Sequence, residues 1–205
     1  MKNFFSMDAP LFRILSMLYD LIILNLLTAL GCLPVVTIGA SLTAMHFVLI
    51  AMVRDEEPDI ARSFLRSFRE NFRQSTLIWG FYLLTFVLCF PLFRSGSGVL
   101  NAVPGIVLIL LYLLSLYLFP FLAHFRNTTR RSVGICAALT VAYLFRTAGM
   151  VVTHVLSAAL FLVFLPWTVP LFVLFGLSLP GYFRALLYHP VLLKLEGRTD
   201  GGNDE

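Results

Sequence analysis

The chain has 205 residues, 59% of them hydrophobic and only 13% charged, with a mean hydropathy of +0.89 and a formal net charge of +4. A soluble domain carries roughly 25% charged residues and needs them to cover its surface, so a water-soluble globular domain is excluded. The composition predicts an all-α fold, a polytopic membrane helix bundle, in which the placement of the positive residues matters more than their sum.

No cleavable leader is expected. Asp8, Pro10 and Arg13 interrupt the approach to the first apolar run, and no small-residue cleavage site ends a short apolar core. A helical span needs about 20 apolar residues. The first is predicted over 11–33, where Pro34 ends it, and the second over 37–53, with Thr37 or Ser41 as its N-cap. The connecting GCLPVVTIGA reads as a tight hairpin at the membrane surface. Its motif residues are Pro34, Thr37, Gly39, Ser41 and Thr43. Gly39/Thr43 and Ala40/Ala44 put small residues four apart, so the second helix is able to approach a neighbour closely.

The segment PDIARSFLRSFRENFRQS follows. Ile60, Phe64, Phe68 and Phe72 recur every four residues, while Arg62, Arg66, Arg69 and Arg73 gather on the opposite side. Asp55, Glu56, Glu57 and Asp59 stand where a helix dipole favours negative charge, and Pro58 suits a first turn. An amphipathic interfacial helix over 58–74 is predicted on the cytoplasmic face. Its two readings are lipid anchoring through the phenylalanine side and docking of a cytoplasmic partner.

The third span is predicted over 75–93, RSGSGVLNA as a loop, and the fourth span over 103–125, with Pro120 bending its last turns. Residues 132–145 are too few to cross and read as a helix at the surface or under the bundle. The fifth span is predicted over 147–166 and the sixth over 171–193. The single membrane domain thus occupies 1–195, and the polar tail 196–205 reads as disordered. With the N-terminus inside and six crossings, all of the 15 lysines and arginines except Arg94 fall on the inner side. That asymmetry favours a multi-pass protein with both termini in the cytoplasm.

The candidate polar residues inside the spans are Asp20, Asn25, His46 and His154. A lone carboxylate in a span is costly, so Asp20 reads either as an anchor near the cytoplasmic end or as an ion or substrate site. Asn25 is expected to hydrogen-bond to a neighbouring helix. No histidine pair has metal-ligand spacing, and Cys32, Cys89 and Cys136 read as buried apolar residues. No phosphate loop, nucleophile elbow or zinc-protease motif occurs. Neither catalysis, a cofactor, a metal nor a nucleic-acid partner is expected.

Asn25-Leu26-Leu27, then Cys32 to Ala40, then Thr43-Ala44, resemble the signature of the YesL family of bacterial membrane proteins. Val53-Arg54-Asp55-Glu56 and Asn71 to Thr76 extend the resemblance, and Thr28-Ala29 depart from the tryptophan-containing stretch of the family. The family has no defined activity and offers no catalytic residues. Its members often accompany carbohydrate ABC importers, so the resemblance implies an accessory or regulatory component of carbohydrate ABC import in the bacterial plasma membrane. The expected partners are the lipid bilayer and the permease or ATPase subunits of an importer. A small secondary transporter or channel is the alternative, and a membrane-embedded enzyme a more distant one.

Overall fold

The computed structural model describes residues 10–94, 98–125, 127–163 and 173–200. Among them the chain is helical, with no strand. α1 spans Pro10–Gly31, α2 Ile38–Val53, α3 Ile60–Arg94, α4 Gly98–His124, α5 Thr129–Ala142, α6 Leu144–Val163 and α7 Ser178–Asp200. Among the described residues five stretches are long and apolar enough to cross a membrane: Arg13–Gly31, Val35–Val53, Ile60–Leu92, Ala102–His124 and Leu144–Val163.

α2 is the centre. Ala40, Ala44, Met45, Val48, Leu49 and Ile50 are fully buried. α1, α3, α4 and α7 all pack against α2, which is why its sequence is apolar all round. The small residues set how closely α3 comes. A Cβ on Gly39 would lie 2.6 Å from both Ser75 O and Trp79 Cβ. Thr43 Oγ1 and Ser75 Oγ are 2.9 Å apart, and the Trp79 indole N–H donates to Val35 O at 2.7 Å.

The hairpin forms where Pro34 predicts it, but its capping differs. Val35–Thr37 make a 3-10 turn before α2, and Thr37 makes no side-chain cap. Its hydroxyl points back instead, donating to Gly31 O at 2.6 Å and to Pro34 O at 2.8 Å. It thereby satisfies carbonyls at the end of α1 rather than N–H groups at the start of α2. Ser41 is buried against Gly31, so it packs the hairpin and does not cap.

Three predicted boundaries are corrected. The interfacial helix and the third span are one helix, α3, of 35 residues and about 52 Å. No proline or glycine lies between Phe72 and Thr76 to break it. Pro58 precedes α3, whose N-terminus is capped by Asp59: its carboxylate accepts the Arg62 N–H at 3.1 Å. Residues 98–102 of the predicted loop 94–102 are helical, because α4 already starts at Gly98; 95–97 lie outside the described residues. The tail is helical through Asp200, held where Glu196 meets Arg54 at 2.6 Å; 201–205 lie outside the described residues.

The sixth predicted span is divided. Residues 173–175 are helical, Gly176 and Leu177 form a turn, and α7 begins at Ser178. α7 carries Arg184, Lys194, Glu196 and Arg198, so it is not among the five apolar stretches. The start of the predicted span, 171–172, and the end of the fifth, 164–166, lie outside the described residues. The short helix predicted over 132–145 is α5, and Tyr143 turns the chain into α6.

Candidate functional site

The break at Gly176 frees backbone groups inside a helix bundle, where each unpaired one is costly. Asn25 of α1 satisfies them. Its Oδ1 accepts the N–H groups of Leu177 at 2.8 Å and Ser178 at 3.0 Å, and its Nδ2 donates to Val173 O at 2.7 Å. The predicted helix-to-helix bond of Asn25 is therefore a bracket across a broken helix. The Oδ1 stands at the N-terminus of α7, where an acceptor is favoured.

Below that break α7 brings Arg184 into a group of polar residues from three other helices. Arg184 lies within electrostatic reach of Tyr112 on α4, His154 on α6 and His46 on α2. The Tyr112 hydroxyl and His154 Nδ1 are 2.9 Å apart, with the rings edge to face. His46 is 4% exposed, and its Nδ1 has no hydrogen-bond partner. Of the predicted intramembrane residues, His46 and His154 thus converge, whereas Asp20 stands apart. Asp20 is half-buried on α1 and has no hydrogen-bond or ion-pair partner among the described residues. Arg13, the nearest arginine along α1, pairs with Asp55 at 2.5 Å instead.

Arg184 and Tyr112 are the residues that sequence reasoning missed. Arg184 was counted with the inner loops because basic residues concentrate there. The signal against that was its position, nine residues inside a segment predicted to span.

The second feature is the first half of α3. Ile60 and Phe64 belong to the protein core, with Phe64 only 3% exposed, and Phe68 packs against that core. Phe64, Phe68 and Phe72 form a ladder, with centroids 6.1 Å and 5.5 Å apart. Only Phe72 at its end is exposed. Arg62, Arg66, Arg69 and Arg73 are all exposed on the other side. Arg66 pairs with Glu70 at 3.1 Å. A shallow open depression of about 600 Å³ runs along this face, lined by Asp59, Arg62, Leu65, Arg66, Arg69 and Glu70. The phenylalanine side is thus enclosed by protein rather than offered to lipid.

These helices define the class: an all-helical membrane protein. The family described as "Protein of unknown function, DUF624" matches residues 21–91, which run from the middle of α1 through the hairpin and α2 to the end of α3. The matched part includes Asn25, the hairpin motif, His46 and the arginine row, and it assigns them no activity. No curated protein and no solved structure matches the chain.

Proposed function

We propose that the protein is a multi-pass component of the bacterial plasma membrane, with both termini inside, that docks an anionic cytoplasmic partner through the arginine face of α3. Following the YesL resemblance, the partner is a permease or ATPase subunit of a carbohydrate ABC importer, and the role is accessory or regulatory rather than enzymatic. One observation carries the docking reading: Phe64 and Ile60 are packed in the core while Arg62, Arg66, Arg69 and Arg73 remain exposed. A helix that anchors in lipid inserts its apolar side into the acyl boundary. Here that side is occupied largely by the rest of the protein, and what it presents outward is a row of four exposed guanidinium groups suited to paired carboxylates.

The test replaces all four arginines by lysine. Lipid attraction depends on charge, about 1 kcal/mol per basic residue near an anionic surface, and is kept by lysine. Paired docking depends on the planar fork and is lost. Co-purification of importer subunits with the wild-type protein, and its loss in the four-lysine variant at an unchanged membrane level, is expected. Unchanged co-purification, or none with the wild type, refutes the reading.

A further inference from the structure

Arg184 is a basic side chain placed among the middles of helices. Its neighbour Tyr112 is ten residues from the start of the Ala102–His124 stretch, and His154 is ten from the start of Leu144–Val163. A charge at such a position is retained where a partner of opposite sign or a polar function compensates it. Among the described residues no carboxylate lies within ion-pair distance of Arg184. Among the described residues its hydrogen bond runs from Nε to Pro180 O on its own helix, at 3.4 Å.

The surroundings are built to approach it. Gly181, one turn earlier, lets α7 close on α2: a Cβ there would lie 2.7 Å from Leu49 Cδ1, 3.3 Å from Met45 Cε and 3.7 Å from Arg184 Nη2. The guanidinium therefore borders the Met45–Leu49 turn of α2, the turn that carries His46 with its unpartnered Nδ1. Across from it, Tyr112 and His154 are hydrogen-bonded to each other. When His154 Nδ1–H donates to the phenolic oxygen, the Tyr112 hydroxyl proton is left free for another acceptor. One fixed cation then stands within electrostatic reach of two neutral donors, with no ion-paired carboxylate among the described residues.

We propose that Arg184, His46 and Tyr112, with His154 orienting Tyr112, bind a small oxoanion, a carboxylate- or phosphate-bearing solute, inside the helix bundle. The guanidinium fork holds two oxygens side by side, which a single lysine ammonium does not. His46 and Tyr112 donate to the remaining oxygens. Asn25 acts indirectly, by fixing the break after which α7 carries Arg184 into place. A headgroup phosphate is the other source of the same chemistry, but it lies at the membrane surface, whereas His46, Tyr112 and His154 come from the middles of their helices. The site stands independently of the docking role of α3.

The experiment measures thermal unfolding and calorimetric binding of the full chain in neutral phosphatidylcholine nanodiscs. Inorganic phosphate and acetate are titrated at constant ionic strength against chloride, and a second set of nanodiscs contains phosphatidylglycerol. Saturable stabilisation by phosphate or acetate is expected. Arg184→Lys is expected to weaken it by about tenfold or more, and Tyr112→Phe and His46→Leu by several-fold. Arg184→Gln is expected to abolish it while raising the unfolding temperature of the ligand-free protein, since a half-buried charge without an ion-pair partner among the described residues has been removed. A purely structural Arg184 would give the reverse, a lower ligand-free unfolding temperature, which overturns the proposal. Stabilisation by phosphatidylglycerol alone overturns the solute site in favour of a lipid headgroup, and no response to any of the three overturns both.

Discussion

Asn25 and Ser178 lie 153 positions apart in the chain, and the Asn25 carbonyl accepts the Ser178 backbone N–H at 3.0 Å. Together with its bonds to Leu177 and Val173, this makes one side chain the patch for a broken helix. Asn25→Leu keeps the volume but strands two N–H groups and a carbonyl. The expected loss is about 2–4 kcal/mol, since each unmade buried bond costs about 1–3 kcal/mol and relaxation recovers part. Asn25→Asp keeps the acceptor and lacks the donor to Val173 O, and is expected to lose less. Thermal unfolding in detergent compares the two, and equal stability of Asn25→Leu and wild type would refute the bracket.

Gly39 and Gly134 are expected to respond to alanine with opposite signs. A Cβ on Gly39 meets the backbone oxygen of Ser75 and Trp79 Cβ at 2.6 Å, so α2 and α3 must separate. A cost of about 1–3 kcal/mol follows. Gly134 in α5 has open space around it, and alanine there gains about 0.5–1 kcal/mol of helix propensity. Chemical denaturation of both variants beside the wild type gives the two signs directly.

Cys136 is enclosed in the core, and burial pushes its thiol up to about 12. A raised thiol pKa means less thiolate at any given pH, and the thiolate is the nucleophile. At pH 7.5 iodoacetamide is expected to leave Cys136 unmodified in the native protein and to modify it fully once the protein is unfolded in detergent. Burial raises the half-exposed Cys32 as well, so slow native modification there is expected. Peptide mass spectrometry resolves the two sites.

The proposed orientation predicts accessibility. A cysteine introduced at Ser63, on the first half of α3, is expected to react with an impermeant reagent only after permeabilisation. One at Ser97, between α3 and α4 in the sequence, is expected to react in intact cells. Labelling of the Ser63 variant in intact cells would reverse the proposed sidedness.

Asp20 has no hydrogen-bond or ion-pair partner among the described residues. Asp20→Asn is therefore expected to leave thermal stability unchanged or to raise it slightly, because a neutral amide avoids the cost of a half-buried charge. A loss of stability would place a partner on this carboxylate.

The helices themselves were legible in the sequence because they depend on local properties. Apolar length sets a span, Pro34 stops α1, and small residues at 39 and 43 permit the close α2–α3 contact. The arginine and phenylalanine sides of α3 were also legible, since helical period alone sorts them. Where each side goes was not. The same stripe of phenylalanines satisfies lipid or a neighbouring helix, and only the position of α2 beside it decided that Phe64 is enclosed by protein. The division of the sixth predicted span was hidden for a similar reason. Gly176 is an ordinary residue in an apolar run, and the turn there persists because Asn25, far away in the chain, supplies the missing hydrogen bonds. By itself, then, the sequence determined the helices, their hairpin and the distribution of charge, through apolar length, period and backbone stereochemistry. Only the tertiary structure decided that Tyr112 and His154 meet, and that Arg184 stands within electrostatic reach of them and of His46. Their juxtaposition depends on how four helices cross, which is fixed by side-chain packing between residues far apart in sequence and carries no local period.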